Sequence, residues 1–402
     1  MQGVRSQATQ GSVSEVFVAF LKLGLTSFGG PIAHLGYFHR ELIVRRKWVD
    51  ESAYAQLLAI CQFIPGPASS QLGFALGLLR GGWAGAIAAF LAFTLPSAVL
   101  LFAFASFLPY LSGTIGDAGV HGLKLVALAV VAYGVLGMTR QLCPDPPRAT
   151  IATIAAALIL LSGQPWMQLV VVVLGGIAGL SVWRNAKPVA AEGLQLRYGP
   201  ALGWALVGGF ALLLVGLPFL VEGGGSRLAV FEAFYRAGAL VFGGGHVVLP
   251  LLEESVVDPG WVSQDEFLAG YGAAQAVPGP MFTLAAYLGA RLPGSEGGVV
   301  GASISLGAIF LPGFLLVAGV LPLWRAIAGR PIAASIVAGV NAAVVGILGA
   351  ALYDPVWTSA VHGPLDMAIA LVAFTLLAAW RVSAIIVVIW CVTASIASAV
   401  YL

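Results

Sequence analysis

The chain contains one motif twice, and the loops that follow the two copies carry opposite charge. Residues 16–30 read VFVAFLKLGLTSFGG and residues 230–244 read VFEAFYRAGALVFGG, with eight of the fifteen positions identical. Because Lys and Arg concentrate on the cytoplasmic side of membrane proteins, this contrast predicts that the motif faces inward once and outward once. The charged residues are Arg40, Arg45, Arg46 and Lys47 after the first copy, and Glu253, Glu254, Asp258, Asp265 and Glu266 after the second.

The composition indicates a membrane protein. The chain is 59% hydrophobic and 9% charged, with a mean hydropathy of +0.97, which a soluble monomer could not keep hydrated. A net charge of +2 does not point to a nucleic-acid partner. The sequence shows no nucleotide-binding loop, hydrolase triad or metal-ligand spacing, so we expect neither an enzyme nor a bound cofactor or metal.

Apolar segments of about 20 residues predict membrane-spanning helices, and two further segments are broken. Residues 53–79 are split by Pro65-Gly66-Pro67 and residues 267–290 by Pro278-Gly279-Pro280, sequences that end one helix and begin another. Whether these segments are re-entrant hairpins or broken full spans stays open, although the charge distribution favours hairpins. The predicted spans are 83–108, 119–139, 202–221, 298–323, 332–352 and 382–401, with shorter ones at 149–162, 166–183 and 366–380.

The fold class that follows is an all-α polytopic membrane protein. It has two inverted-topology repeats with broken or re-entrant helices, and about 9–13 membrane segments. The single span in the linker turns the second repeat over. The predicted divisions are a polar tail at 1–14 with no signal peptide, a first repeat at 15–183, a linker at 184–227 and a second repeat at 228–402.

Matched polar residues in the two halves are the candidate site. Lys22 and Arg236 share one repeat position within apolar segments, where a cation either faces a cavity or extends toward an interface. The helices that begin at the two Pro-Gly-Pro breaks could direct free N–H groups at an anion. Gln62, Gln275 and His246 could serve the site or bond locally. The full set is Lys22, Phe28, Gly29, Gly30, Pro31, Gln62, Pro65, Gly66, Pro67, Arg236, Phe242, Gly243, Gly244, His246, Gln275, Pro278, Gly279 and Pro280.

These motifs resemble the CHR family of chromate transporters in its long-chain, two-domain form. The resemblance rests on FGGP at 28–31 and QFIPGP at 62–67, and equally on FGGGHVVLPLLEE at 242–254 and QAVPGP at 275–280, with a tryptophan after each charged loop. It implies efflux of chromate from the bacterial cytoplasm across the inner membrane, driven by the proton-motive force, with sulfate as a competing analogue. The second copy departs from FGGP, because Gly245 stands where the first has proline.

Other functions remain open at the level of the residues. A passive oxyanion channel, or a transporter of sulfate or another tetrahedral oxyanion, could use the same helix ends. A membrane enzyme is disfavoured, because no acid, base or metal set converges. The expected partners are the oxyanion, the lipid bilayer and a coupled proton, while a homodimer is allowed but not required.

Overall fold

The computed structural model describes residues 11–28, 30–111, 113–164, 166–182, 196–221, 226–242, 245–324, 326 and 331–401, and all regular structure among them is helical. The first half contains α1 (Val13–Thr26), α2 (Gly30–Phe38), a π-helical segment (His39–Arg45), α3 (Glu51–Phe63), α4 (Ala68–Phe107), α5 (Thr114–Leu142), α6 (Pro146–Ser162) and α7 (Met167–Val182). The linker helix is α8 (Pro200–Leu220). The second half contains α9 (Arg227–Ala239), α10 (Val248–Val256), α11 (Gln264–Ala274), α12 (Leu284–Arg291), α13 (Gly298–Val320), α14 (Pro331–Ala351), α15 (Pro364–Ala378) and α16 (Ala384–Tyr401).

The predicted spans agree with the helices. Among the described residues, six helices are long and apolar enough to cross a membrane, and three shorter apolar helices lie at the predicted short spans. The helix α4 is two limbs, because Gly82 (φ 65°, ψ −160°) breaks its helical backbone and turns the chain. Gly77 on the first limb and Gly85 on the second lie back to back, so close that a Cβ on either would lie within 2.6 Å of the other's carbonyl oxygen.

Two helices of the first half, α1 and α3, are too short to cross a membrane. The helix α1 has 14 residues and α3 has 13, which makes each about 20 Å long, too short for a hydrocarbon core of about 30 Å. The backbone N–H of Gly11 donates to the carbonyl of Arg80 (3.1 Å), and the Arg80 guanidinium pairs with Glu15 (3.0 Å). The indole N–H of Trp48, just before α3, also donates to Glu15 (3.0 Å), so the start of α3 and the end of the first limb of α4 lie at one level, in agreement with a re-entrant hairpin.

The second half forms the same hairpins from the opposite end of the molecule. An ion pair between Arg227 and Glu296 (3.7 Å) joins the start of α9 to the turn before α13. Asp265, at the start of α11, pairs with Lys124, the eleventh residue of α5 (2.9 Å). The helix α5 begins where the second limb of α4 ends, about 37 Å from the Gly82 turn. The open end of the first hairpin, at Arg80, and the open end of the second, at Asp265, therefore lie toward opposite sides of the molecule. The repeats are therefore inverted, as predicted.

The remaining helices pack across the two halves. The helix α14 of the second half packs on α6 and α7, and α5 of the first half packs on α15 and α16. Small residues permit this close approach: a Cβ on Gly339 would lie 2.0 Å from the carbonyl oxygen of Gly175, and one on Gly122 would meet the backbone of Val392 at 2.7 Å. Each half thus completes the core of the other.

The opposed open ends of the two hairpins predict opposite labelling of the two charged loops. A cysteine at Arg45 should react with a membrane-impermeant maleimide only from the cytoplasmic side, and a cysteine at Asp258 only from outside, because Lys and Arg stay on the cytoplasmic side. Both positions are exposed, and Cys61, Cys143 and Cys391 are buried, so the native thiols give a low background. Labelling of both cysteines from one side would contradict the inverted arrangement.

Candidate functional site

The Pro-Gly-Pro break of each half donates a backbone hydrogen bond to the other half. The backbone N–H of Gly66 donates to the carbonyl of Val241 (2.7 Å), and that of Gly279 donates to the carbonyl of Ser27 (2.9 Å). Ser27 and Val241 occupy equivalent positions, just before the Gly-Gly segment of each repeat. The break of one half is therefore bound to the Gly-Gly segment of the other, around a local two-fold axis.

Glycine is required at both breaks. The φ angles are +121° at Gly66 and +101° at Gly279, a region that residues with a Cβ rarely adopt. A Cβ on Gly66 would lie 2.6 Å from Nε2 of Gln71, and one on Gly279 would lie 2.8 Å from Oγ of Ser97. Both the conformation and the space thus exclude a side chain.

One sequence prediction is corrected here. The N–H groups of Gly66 and Gly279 are not free for an anion, because each donates to a carbonyl of the other half. Proline has no N–H, so Pro65, Pro67, Pro278 and Pro280 offer none either. What remains at each break is the first turn of the following helix, at Ala68–Phe107 and at Met281–Thr283, whose leading N–H groups have no partner within the helix.

Lys22 is part of a basic cluster around one carboxylate. Its Nζ lies 2.9 Å from Oε2 of Glu41, a side chain that is only 10% exposed. Arg45 Nη1 lies 3.2 Å from Oε2 and Arg46 Nε lies 2.9 Å from Oε1 of the same group. We call Lys22, Glu41, Arg45 and Arg46 the Glu41 cluster. It contains three cations and one anion.

Arg236 lies in the equivalent position with the opposite balance of charge. Its Nε lies 2.9 Å from Oε1 of Glu232, and its Nη1 lies 3.1 Å from Oε1 of Glu254. Glu232 lies four residues before Arg236 on the same helix, α9. We call Glu232, Arg236 and Glu254 the Arg236 cluster, and it contains one cation and two anions.

The ion pairs Lys22–Glu41 and Arg236–Glu254 are the same interaction in the two repeats. Glu41 and Glu254 are 213 residues apart, the offset that also relates Trp48 to Trp261 and Gln62 to Gln275. Glu41 is not among the residues predicted for the site. The offset could have identified it, but nothing in the sequence shows that the π-helical segment returns its carboxylate to Lys22.

The predicted polar residues near the breaks are divided between exposed and locally bonded positions. Gln62 is exposed, whereas the amide of Gln275 contacts the carbonyl of Tyr271 (3.4 Å) and Sδ of Met281 (3.3 Å). His246 Nδ1 lies 2.8 Å from the hydroxyl of Tyr271. Gln275 therefore bonds to the backbone of α11 and His246 to a neighbouring tyrosine, the local alternative in each case.

The Gly-Gly segments are described only in part. Phe28 and Phe242, which begin the two Gly-Gly segments, are partly buried. Gly30 has a φ of +76° and is the first residue of α2, which also includes Pro31. The predicted site residues Gly29, Gly243 and Gly244 lie outside the described residues.

The two clusters also differ in proton affinity. Although burial alone would raise the pKa of Glu41, hydrogen bonds from Lys22, Arg46 and Arg45 lower it to about 2, so this carboxylate stays ionised. In the acidic loop of the second half (residues 253–266), burial raises the pKa of Glu254 despite its contact with Arg236, and raises the pKa of Glu253 to about 8. The carboxyl group of Glu253 is therefore protonated near neutral pH, whereas that of Glu41 is ionised.

One three-residue group with metal-ligand chemistry lies apart from these clusters. Ligand atoms of His121, His362 and Asp366 lie within 4.8 Å of one another. Nε2 of His121 lies 2.9 Å from Oδ1 of Asp366, whose Oδ2 accepts the backbone N–H of His362 (2.9 Å). These bonds account for the group without an ion. This group was not predicted from the sequence, because His121 and His362 are far apart in the chain.

The inverted halves, the re-entrant tips and the charged clusters define a polytopic membrane transport protein. The chain belongs to the chromate transporter family, whose model matches residues 14–180 and again 228–396. The two matches cover both halves, in agreement with the duplication visible in the sequence.

Three relatives carry the same description. A "Probable chromate transport protein" of Synechococcus elongatus is 30% identical over 85% of this chain and 84% of its own length. A "Chromate transport protein" of Pseudomonas aeruginosa is 28% identical over 92% and 88% of the two chains, and one of Cupriavidus metallidurans is 27% identical over 85% and 82%. No solved structure matches this chain.

Alanine at either central glycine should destabilise the protein. Forcing a Cβ into this φ region costs about 1–3 kcal/mol, and the close neighbours at Gly66 and Gly279 add to that cost. We expect Gly66→Ala and Gly279→Ala to lower the temperature at which the detergent-solubilised protein loses its monodisperse peak. Gly208→Ala in α8, where a Cβ meets no atom within 4 Å, is the matched control and should lose nothing. Equal melting of all three variants would contradict the requirement for glycine.

The raised pKa of Glu253 predicts a pH-dependent stability. Its pKa is raised from 4.5 to about 8 in the folded protein, so between these values the folded state binds more protons than the unfolded state. The contribution of Glu253 to the free energy of unfolding is therefore largest at the acid end of this pH interval and decreases as the pH rises through it. Glu253→Gln should melt higher than wild type at pH 8 and no higher near pH 5. Glu51→Gln, which removes an exposed carboxylate, should show no such difference.

Proposed function

We propose that the protein is a secondary active transporter that exports chromate from the bacterial cytoplasm across the inner membrane, driven by the proton-motive force. Membership of the chromate transporter family supports the substrate. The structural observation that carries the proposal is the pair of Pro-Gly-Pro breaks, each bonded to the other half, with a charged cluster at equivalent positions of the two repeats. Sulfate, a tetrahedral dianion of similar shape, competes for the same path.

The arrangement of the tips suits alternating access. In the described part of the chain, each Pro-Gly-Pro tip donates one backbone hydrogen bond to the other half, from Gly66 to Val241 and from Gly279 to Ser27. Because the hairpins enter from opposite sides, rocking of one half against the other opens the centre to one side at a time. The first turns of α4 and of the Met281–Thr283 helix then add their N–H groups to the path.

The charged clusters supply the remaining charge compensation. A helix N-terminus provides about half a positive charge, so two of them cannot balance a dianion in a site of low dielectric. Lys22 and Arg236 are the cations at the equivalent positions of the two halves, and each is held by a glutamate that the oxyanion can replace.

Proton coupling is supported by the acidic loop of the second half. Glu253 takes up a proton near neutral pH, and the groups that face it are Asp258, Asp354 and the amide of Gln264. Glu254 faces Arg236, Glu232 and Asp258. On the outer side, where the proton-motive force supplies protons, protonation of Glu254 frees Arg236, and ionisation restores the pair.

Transport in everted membrane vesicles tests the proposal. Radiolabelled chromate should accumulate against its gradient when a proton gradient is present, and an uncoupler should abolish the accumulation. A passive channel would equilibrate chromate but could not concentrate it, and uptake without accumulation would favour that alternative. Excess sulfate should reduce the rate.

Loss of either equivalent cation should impair this transport. We expect Lys22→Gln and Arg236→Gln each to lower the chromate transport rate at least about tenfold, because each removes a full charge from a partly buried site. Arg236→Lys should retain more transport than Arg236→Gln, since charge matters before fork geometry. Amounts in the membrane, measured by immunoblot, should match wild type. Near-normal rates for both Gln variants would exclude these cations from the path.

A further inference from the structure

The Glu41 carboxylate is surrounded by more positive charge than an ion pair requires. Its two oxygens accept from three side chains on two elements: Lys22 from α1, and Arg45 and Arg46 from the end of the π-helical segment. One cation would neutralise one carboxylate, so the cluster retains a net charge of +2. That is equal and opposite to the charge of a tetrahedral dianion.

The cluster is open on the side of its cations. The side chains of Lys22 and Arg45 are 49% and 67% exposed, whereas that of Glu41 is 10% exposed and lies beneath them. An anion that approaches from solvent therefore meets the cations first. Arginine and lysine are the side chains that bind tetrahedral oxyanions, by charge-assisted hydrogen bonds of the kind that Glu41 accepts here.

We propose that Lys22, Arg45 and Arg46 form the entry site for the oxyanion in the first half, and that the carboxylate of Glu41 occupies the place of the substrate while the site is empty. The inference rests on the proposed function, and adds to it two arginines and a competing internal anion. On binding, the oxyanion takes over the hydrogen bonds of the cations, and Glu41, repelled by the dianion, turns away.

The second half contains the same pair without the surplus of positive charge. Arg236 lies between Glu232 and Glu254, so the Arg236 cluster has a net charge of −1, and Glu253 and Asp258 lie nearby. A dianion is held at the Glu41 cluster and repelled at its counterpart. The oxyanion is therefore bound tightly on the basic side and released on the acidic side.

The experiment removes the internal competitor. Equilibrium dialysis of the purified full-length protein in detergent with radiolabelled chromate measures the Kd of wild type and of Glu41→Gln. Because the substitution removes the competing negative charge and keeps the shape, we expect binding about tenfold tighter. Glu51→Gln removes an exposed carboxylate of the same loop, which pairs with His39, and should leave the Kd unchanged. A structural ion pair would predict weaker or unchanged binding by Glu41→Gln.

A second variant tests the site from the cation side. Arg45 is exposed, so Arg45→Gln should fold, and we expect it to weaken chromate binding roughly threefold or more, as loss of a partly exposed charge does. Arg140→Gln, at an exposed position on α5, is the matched control for net charge and should bind as wild type. If Glu41→Gln fails to give a monodisperse protein, the comparison of the Kd of Arg45→Gln with that of Arg140→Gln tests the entry site by itself.

The outcomes separate this inference from the proposed function. Folded Glu41→Gln that binds chromate no tighter than wild type overturns the entry site, and so does Arg45→Gln that binds like Arg140→Gln. If wild type still accumulates chromate in vesicles, the proposed function stands without the entry site. Wild type that neither binds nor accumulates chromate would refute the proposed function itself.

Discussion

The architecture depends on satisfying broken backbone in a medium without water. An unpaired N–H in the hydrocarbon core costs several kcal/mol, so a chain interrupted by Pro-Gly-Pro at that depth must find an acceptor inside the protein. Here the acceptor is in the other half: Gly66 donates to Val241, and Gly279 to Ser27. Neither half can satisfy its own break, so the two halves are interdependent.

The two halves make equivalent backbone contacts but differ in the charge of their clusters. The pairs Lys22–Glu41 and Arg236–Glu254 are equivalent in geometry, yet the first lies among added arginines and the second among added acids. The consequences include opposite shifts in pKa: that of Glu41 is held at about 2, whereas that of Glu254 is raised. An inverted repeat with identical halves would bind its substrate equally on both sides. The unequal charge of the two clusters is the basis of the binding and release that we propose for the two sides.

Much of the fold could be predicted because long apolar runs and proline breaks act locally. The six long spans and both broken segments followed from hydropathy and from Pro65 to Pro67 and Pro278 to Pro280, and the hairpin interpretation followed from the charges. The site was predicted less completely. Lys22 and Arg236 were identified because they share one repeat position. The prediction that the N–H groups of Gly66 and Gly279 are free was wrong, because their acceptors lie in the other half of the chain.

The sequence by itself determined the class of structure: a duplicated, membrane-embedded helical chain with its second copy turned over. Hydropathy, proline and the sign of charge are properties of single residues and short segments, so they survive without coordinates. Only the tertiary structure decided which groups meet. The enclosure of Glu41 by three cations depends on how the π-helical segment folds back on α1, and the His121–Asp366 pair joins residues from separate halves. Such contacts arise from packing, which no local pattern encodes.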